Sequence, residues 1–178
     1  MAKVGVFIID NFEELEAISS VDILRRGQVD VTIVSLSNEI VKSKHNVNIK
    51  ADAIFEPNKD YGFDMIVIPG GTTDYIENNS FVEYLKVQSK KDVRICAICA
   101  APTVLGRIGL LKGKKAVCYK GMEKDLIGAQ YVNENVVIDG NIITSRGPST
   151  AIEFGFAILK QLKGNETVNK IKADMLFD

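Results

Sequence analysis

The feature that most constrains this chain is a set of short apolar runs: Val4-Gly5-Val6-Phe7-Ile8-Ile9, Val31-Thr32-Ile33-Val34, Met65-Ile66-Val67-Ile68 and Arg94-Ile95-Cys96-Ala97-Ile98. Most are apolar at successive positions rather than at alternate ones. Strands of that kind are buried on both faces, which happens where helices cover both sides of a parallel sheet. The helices lie between them. Glu14 to Arg26 sets Leu15, Ile18, Val21, Ile23 and Leu24 on one helical face and stops at Gly27. Phe81 to Ser89 and Pro102 to Ile108 read as further helices. Thr150-Ala151-Ile152-Glu153 has the spacing of a capping box and opens a helix to about Leu162, before a last short one from Glu166 to Met175. Val41 to Asp52 alternates instead, which predicts an edge hairpin, and Tyr131 to Ile143 with its Asp139-Gly140 turn predicts another. The class is therefore α/β: a mostly parallel central sheet with helices on both faces and a small edge hairpin. At 178 residues, 46% of them hydrophobic, one domain over 1–178 is long enough to bury that core.

Charge and cysteine usage exclude several roles. The 22 basic and 23 acidic side chains leave a net charge of −1, which builds no field to collect nucleic acid or anionic lipid. The basic clusters, Lys90-Lys91 and Lys112 with Lys114-Lys115, are short and carry no interleaved aromatics, as solvated loops do. Cys96, Cys99 and Cys118 are too few, and odd in number, for a secreted disulfide framework. Cys96-x-x-Cys99 has the spacing of a redox or metal half-site, but there is no second pair and His45 is the only histidine, so no metal is expected. Val4 to Ile9 is too short for a signal segment or a membrane span. Gly109-Leu110-Leu111-Lys112-Gly113-Lys114 falls one residue short of a phosphate-binding loop, lacks its final Ser/Thr and follows a helix. The expectation is a soluble, cytoplasmic protein without nucleic-acid or membrane partners.

The sharpest local feature is Ile95-Cys96-Ala97-Ile98-Cys99-Ala100-Ala101-Pro102. A strand ends at Ile98 and a helix must begin by Pro102, which leaves Cys99 in the turn. Ala97 and Ala101 stand where a nucleophile elbow holds small residues. A thiol at a helix N-terminus is expected to have a lowered pKa, whereas a free cysteine is also a common core filler. Pro69-Gly70-Gly71-Thr72 follows the strand Met65 to Ile68, and its glycines either aim an N–H at an oxyanion or simply turn the chain. Parallel strands deliver both segments to one sheet edge. Glu13-Glu14-x-Glu16 follows the first strand at that same edge. All three acids suit a solvated helix cap, but only Glu16 falls beside the apolar stripe, where a carboxyl of raised pKa can exchange a proton with a thiol. Arg146, in Ser145-Arg146-Gly147-Pro148, either holds an anion near the site or sits in a solvated turn.

Together these segments resemble the ThiJ/PfpI superfamily, in the branch of Parkinson disease protein 7. The matching elements are Glu13-Glu14-Leu15-Glu16, Val21-Asp22-Ile23-Leu24-Arg25-Arg26, Ile68-Pro69-Gly70-Gly71, Ala97-Ile98-Cys99-Ala100-Ala101-Pro102 and Thr144-Ser145-Arg146-Gly147-Pro148, in family order along nearly the whole chain. The resemblance implies a flavodoxin-like three-layer sandwich, usually a homodimer, with Cys99 as nucleophile and Glu16 as its protonated partner. It also implies an oxyanion pocket from the N–H groups of Gly71 and Ala100, with Gly70, Tyr119, Arg146 and Pro148 around it. The activities implied are a cofactor-independent glyoxalase or deglycase acting on 2-oxoaldehydes, or a stress sensor whose cysteine an oxidant converts to sulfinate. Two departures stand out. Tyr119 occupies the place of a histidine that many relatives carry, which leaves Glu16 with both acid and base work and implies slow turnover. Ala100 stands where the protease-like branch has histidine, which argues against peptidase activity.

Overall fold

The computed structural model describes residues 1–177. In chain order the strands are β1 (Lys3–Ile8), β2 (Asp30–Ser35), β3 (Ile40–Lys42), β4 (Asn48–Lys50), β5 (Ala53–Ile54), β6 (Met65–Ile68), β7 (Arg94–Ile98), β8 (Lys115–Ala116), β9 (Gln130–Tyr131), β10 (Val136–Asp139) and β11 (Ile142–Ser145). The helices are α1 (Glu14–Arg26), α2 (Asn79–Lys90), α3 (Ala101–Arg107) and α4 (Ala151–Asp174). The central sheet runs β10-β11-β7-β6-β1-β2-β5. All its pairings are parallel except β10 with β11. Numbered among themselves, the five main parallel strands lie in the order 2-1-3-4-5, the flavodoxin-like arrangement.

The apolar runs are explained by the two cores they separate. Along β1, Val4, Val6 and Ile8 face the layer of α1 and α4, while Phe7 faces the layer of α2 and α3. β6 does the same, with Met65 and Val67 on one side and Ile66 and Ile68 on the other. Period-2 alternation is present in the side chains, but both faces are dry, so every position is apolar. In the doubly wound order the crevice forms beyond the carboxyl ends of β1 and β6, where the crossovers part to opposite faces. The segments Asp10–Glu13, Pro69–Gly71 and Cys99–Ala100 all leave the sheet at that edge.

Both hairpins form, β3–β4 outside the main sheet and β10–β11 at its edge. Two local expectations are corrected. Leu15 and Ile18 are exposed, because the buried face of α1 is Glu16, Ala17, Ser20, Val21, Ile23 and Leu24. That face packs against α4 and the sheet, while Leu15 and Ile18 lie on the side of α1 that neither covers. Thr150 does not cap α4. Its Oγ1 instead donates to the Gly147 carbonyl at 2.9 Å and lies 2.6 Å from Ser145 Oγ, while the Glu153 carboxylate accepts from Asn135 Nδ2 at 2.9 Å. The C-terminal segment does hold two helices, since α4 is broken at Gly164, whose φ of +78° and ψ of 177° are not helical.

Candidate active site

β7 ends at Ile98 and α3 begins at Ala101, so Cys99 and Ala100 alone make the connection. Cys99 has φ of +66°, a left-handed conformation that costs an L-residue energy and is kept only where its surroundings enforce it. Two backbone bonds do so. The Cys99 N–H donates to the Ser145 carbonyl at 3.0 Å, and the Cys99 carbonyl accepts from the Tyr119 N–H at 2.8 Å. Gly70 is required beside them, since a Cβ there would lie 2.6 Å from Cys99 Cβ and 2.9 Å from the Ala100 nitrogen. At Gly71 φ is +85°, and a Cβ would meet the Asn11 oxygen and Glu13 nitrogen at 2.5 Å. The ends of β1, β6 and β7 thus close to backbone contact around one thiol.

Glu16 is wholly buried on the first turn of α1. The Glu13 carboxylate caps that turn by accepting from the Glu16 N–H at 2.8 Å. Glu16 Oε2 accepts from the Gly70 N–H at 2.7 Å, while Oε1 is buried with no hydrogen-bond partner of standard geometry. The neighbouring thiol of Cys99 interacts with this carboxyl all the same. Burial pushes Glu16 up to about 7, with the charge of Glu13 adding to it and the Gly70 N–H and Cys99 opposing. Burial likewise pushes Cys99 up to about 12, reinforced by the charge of Glu16 and the hydrogen bond to it, and opposed by the N–H groups of Gly71 and Ala100.

The lowered thiol pKa expected from the sequence is therefore corrected. α3 has only 7 residues, too few for a strong dipole, and Cys99 is 7% exposed beside a carboxylate. The two groups titrate as a pair, each pushed above its ordinary range, with the carboxyl giving up its proton before the thiol. Once the first proton has gone, the remaining one is shared. Moving it from sulfur to Glu16 removes the charge that holds the thiol up and leaves a thiolate facing two N–H donors.

The thiol opens into a cavity of about 570 Å³ lined by Gly71, Cys99, Ala100, Tyr119 and Pro148, with Glu13, Lys44, His45, Thr72, Thr73 and Met122 around it. Glu16 and Gly70 stand behind the thiol rather than on the wall. Tyr119 is 49% exposed, and its ring borders Gly147 together with Cys99 Sγ. Arg146 does not line the cavity, and its backbone N–H donates to the Asn135 carbonyl at 3.2 Å. Cys96 and Cys118 are buried free thiols off the cavity, and Cys118 Sγ donates to the Tyr119 carbonyl at 3.4 Å.

Lys44, His45, Thr73 and Met122 are wall residues that the sequence does not reveal. Asn11 and Asp10 bind Lys42 of the β3–β4 hairpin, and the Lys44 N–H donates to the Phe12 carbonyl, so the hairpin folds over the end of β1. Lys44 Nζ then donates to the Gly71 carbonyl at 3.0 Å. Nothing in the alternation of a hairpin says where its turn will rest.

A profile of the DJ-1/PfpI family matches residues 2–161. The chain is 37% identical to protein dj-1beta of Drosophila melanogaster, over 96% of this chain and 95% of that one. It is 36% identical to the glutathione-independent glyoxalase DJR-1.2 of Caenorhabditis elegans, over 91% and 89%. The oxidized form of Toxoplasma gondii DJ-1 superposes with a TM-score of 0.93 at 34% identity, over 99% of each chain. The chain spans 39% and 44% of the length of DJ-1 homologs B and A of Arabidopsis thaliana.

Proposed function

The chain belongs to the DJ-1/PfpI family, and from that premise we propose that it is a stress-response enzyme which uses Cys99, without a cofactor, to convert reactive 2-oxoaldehydes to 2-hydroxy acids. One observation carries the reading: Cys99 is held strained at the floor of an open cavity, against a buried carboxyl that titrates near 7 and has one oxygen free to take its proton. The glyoxalase name of the Caenorhabditis elegans relative supports the substrate class.

Methylglyoxal is a simple substrate of this class. Glu16 takes the thiol proton and the sulfur adds to the aldehyde carbon, giving a hemithioacetal whose oxygen is held by the Gly71 and Ala100 N–H groups. Glu16, having returned its proton to that oxygen, removes the hydrogen on the same carbon to give an enediolate charged on the former ketone oxygen. Glu16 then returns that proton to the adjacent carbon and carries the hydroxyl proton from the first oxygen to the second, which leaves a lactoyl thioester on Cys99. Water then cleaves the thioester, releasing lactate and the thiol. Glu16 serves every proton transfer, so turnover is slow. Loss of methylglyoxal and appearance of lactate test the reading, and Cys99→Ser or Glu16→Ala must each abolish them. The homodimer of the resemblance and a cytoplasmic site of action complete the proposal, and among the described residues no helix is long and apolar enough to cross a membrane.

A second reading uses the same thiol as a redox sensor. Two equivalents of peroxide add two oxygens to Cys99, and a protonated Glu16 donates to the resulting sulfinate. It is favoured by exposure: Cys99 alone of the three cysteines lines the cavity. Mass spectrometry after mild peroxide must then place both oxygens on Cys99.

A further inference from the structure

The hairpin turn that covers the cavity brings the chain's only histidine against two carboxylates of another element. His45 Nδ1 lies 3.0 Å from Glu14 Oε1 and 4.0 Å from Glu13 Oε1. One ligand atom from each of Glu13, Glu14 and His45 falls within 4.8 Å of the other two. From sequence a lone histidine and a single Cys-x-x-Cys pair leave a metal short of ligands; the carboxylates that join His45 here lie 31 and 32 positions from it and meet it only through the fold.

A simple tether between hairpin and helix does not account for this arrangement. A tether needs one carboxylate, yet a second, 6% exposed, stands beside the same ring with one oxygen capping α1 and the other turned to the histidine. Among the described residues Glu14 Oε2 is buried with no hydrogen bond of standard geometry, with the Ser43 hydroxyl beside the carboxyl, and a ligand would satisfy that oxygen more fully. The nearby ammonium of Lys44 does not fill the gap, since Nζ donates to the Gly71 carbonyl. What the cluster lacks is a cation. One imidazole nitrogen and two carboxylates suit a first-row divalent ion of the zinc class better than magnesium or calcium, which favour all-oxygen shells. Zinc bonds of about 2 Å place tetrahedral ligand atoms roughly 3.4 Å from one another, a spacing that lies between the 3.0 and 4.0 Å separations of His45 from the two carboxylates.

We propose that Glu13, Glu14 and His45 form a binding site for a zinc-class divalent cation on the rim of the Cys99 cavity, with a fourth position open to water. Ligation uses the neutral imidazole, with Nδ1 on the metal and the ring proton on Nε2. The site is distinct from the thiol and does not depend on the reaction proposed for it.

The test uses the full chain carrying Cys99→Ala, so that the cavity thiol cannot hold the metal, titrated with zinc sulfate. Calorimetry should show one saturable site, weakened at least tenfold by Glu14→Gln and by His45→Gln. His45 side chain is 65% exposed, so its replacement leaves the fold intact, which a thermal melt confirms. Because the chain has one histidine, a nitrogen NMR spectrum of the imidazoles contains a single pair of ring signals, and zinc should move Nδ1 far more than Nε2. Absence of saturable uptake up to about 1 mM zinc overturns the proposal. So does uptake that both variants leave unchanged, or zinc binding that leaves the His45 signals where they were.

Discussion

Glu16→Gln is the perturbation that reads most directly what burial does at this site. Glu16 is wholly buried and titrates near 7 instead of 4.5. Below pH 4.5 it is protonated in both the folded and unfolded chain and has no effect on stability. As pH rises from 4.5 to 7 the unfolded chain ionises while the folded one holds its proton, so stability falls. Above 7 the whole difference is lost, about 3 kcal/mol at 1.36 kcal/mol for each factor of ten. Glutamine keeps an acceptor for the Gly70 N–H and cannot ionise. Relative to the parent it should therefore stabilise the fold by about 2.5 kcal/mol more at pH 8 than at pH 5. For a chain of this length that is roughly 5–10 °C in melting temperature. Urea denaturation at the two pH values measures it, and comparing them cancels the change in shape. A gain that does not vary with pH, or one larger at pH 5, refutes the reasoning, since Glu16 would then be ionised and stabilised where it lies.

Four further outcomes are expected. Cys99→Ser should abolish methylglyoxal turnover, by about a thousandfold or more, in a lactate assay, because the alcohol is too weak a nucleophile for an acid of pKa near 7 to activate. The parent kcat/KM should rise with pH and level off above 7, as the pair passes to its singly protonated form, and a flat profile from pH 5 to 8 contradicts the shared proton. Gly70→Ala should destabilise the fold by about 1–3 kcal/mol in denaturation and slow alkylation of Cys99, since its Cβ would press on the elbow. A homodimer should give twice 19.6 kDa by light scattering.

The parallel sheet was legible because dry strands leave unbroken apolar runs, and Cys99 because an elbow needs a strand, small neighbours and a helix start within a few residues. Glu16 was legible only in part. Its place beside the stripe showed in the sequence, but the bond from Gly70 lies 54 positions away. The exposure of Leu15 and Ile18 was hidden, since apolar periodicity marks a face without saying which part of it α4 covers. Lys44 and His45 were hidden for a different reason: a hairpin turn is placed by backbone bonds to Asn11 and Phe12, and these leave no pattern in side-chain type. The thiol pKa was misread because helix length and the neighbouring carboxylate, both products of the fold, outweigh the local turn.

The central claim is that Cys99 and Glu16 act as one acid with a shared proton. The pH dependence of Cys99 alkylation by iodoacetamide, with and without Glu16→Gln, tests it most directly. The parent rate should step up near pH 7 and then stay level, and this step should vanish in the variant, whose rate follows a single thiol titration. The same profile in both proteins, or a parent with no step near 7, would contradict it.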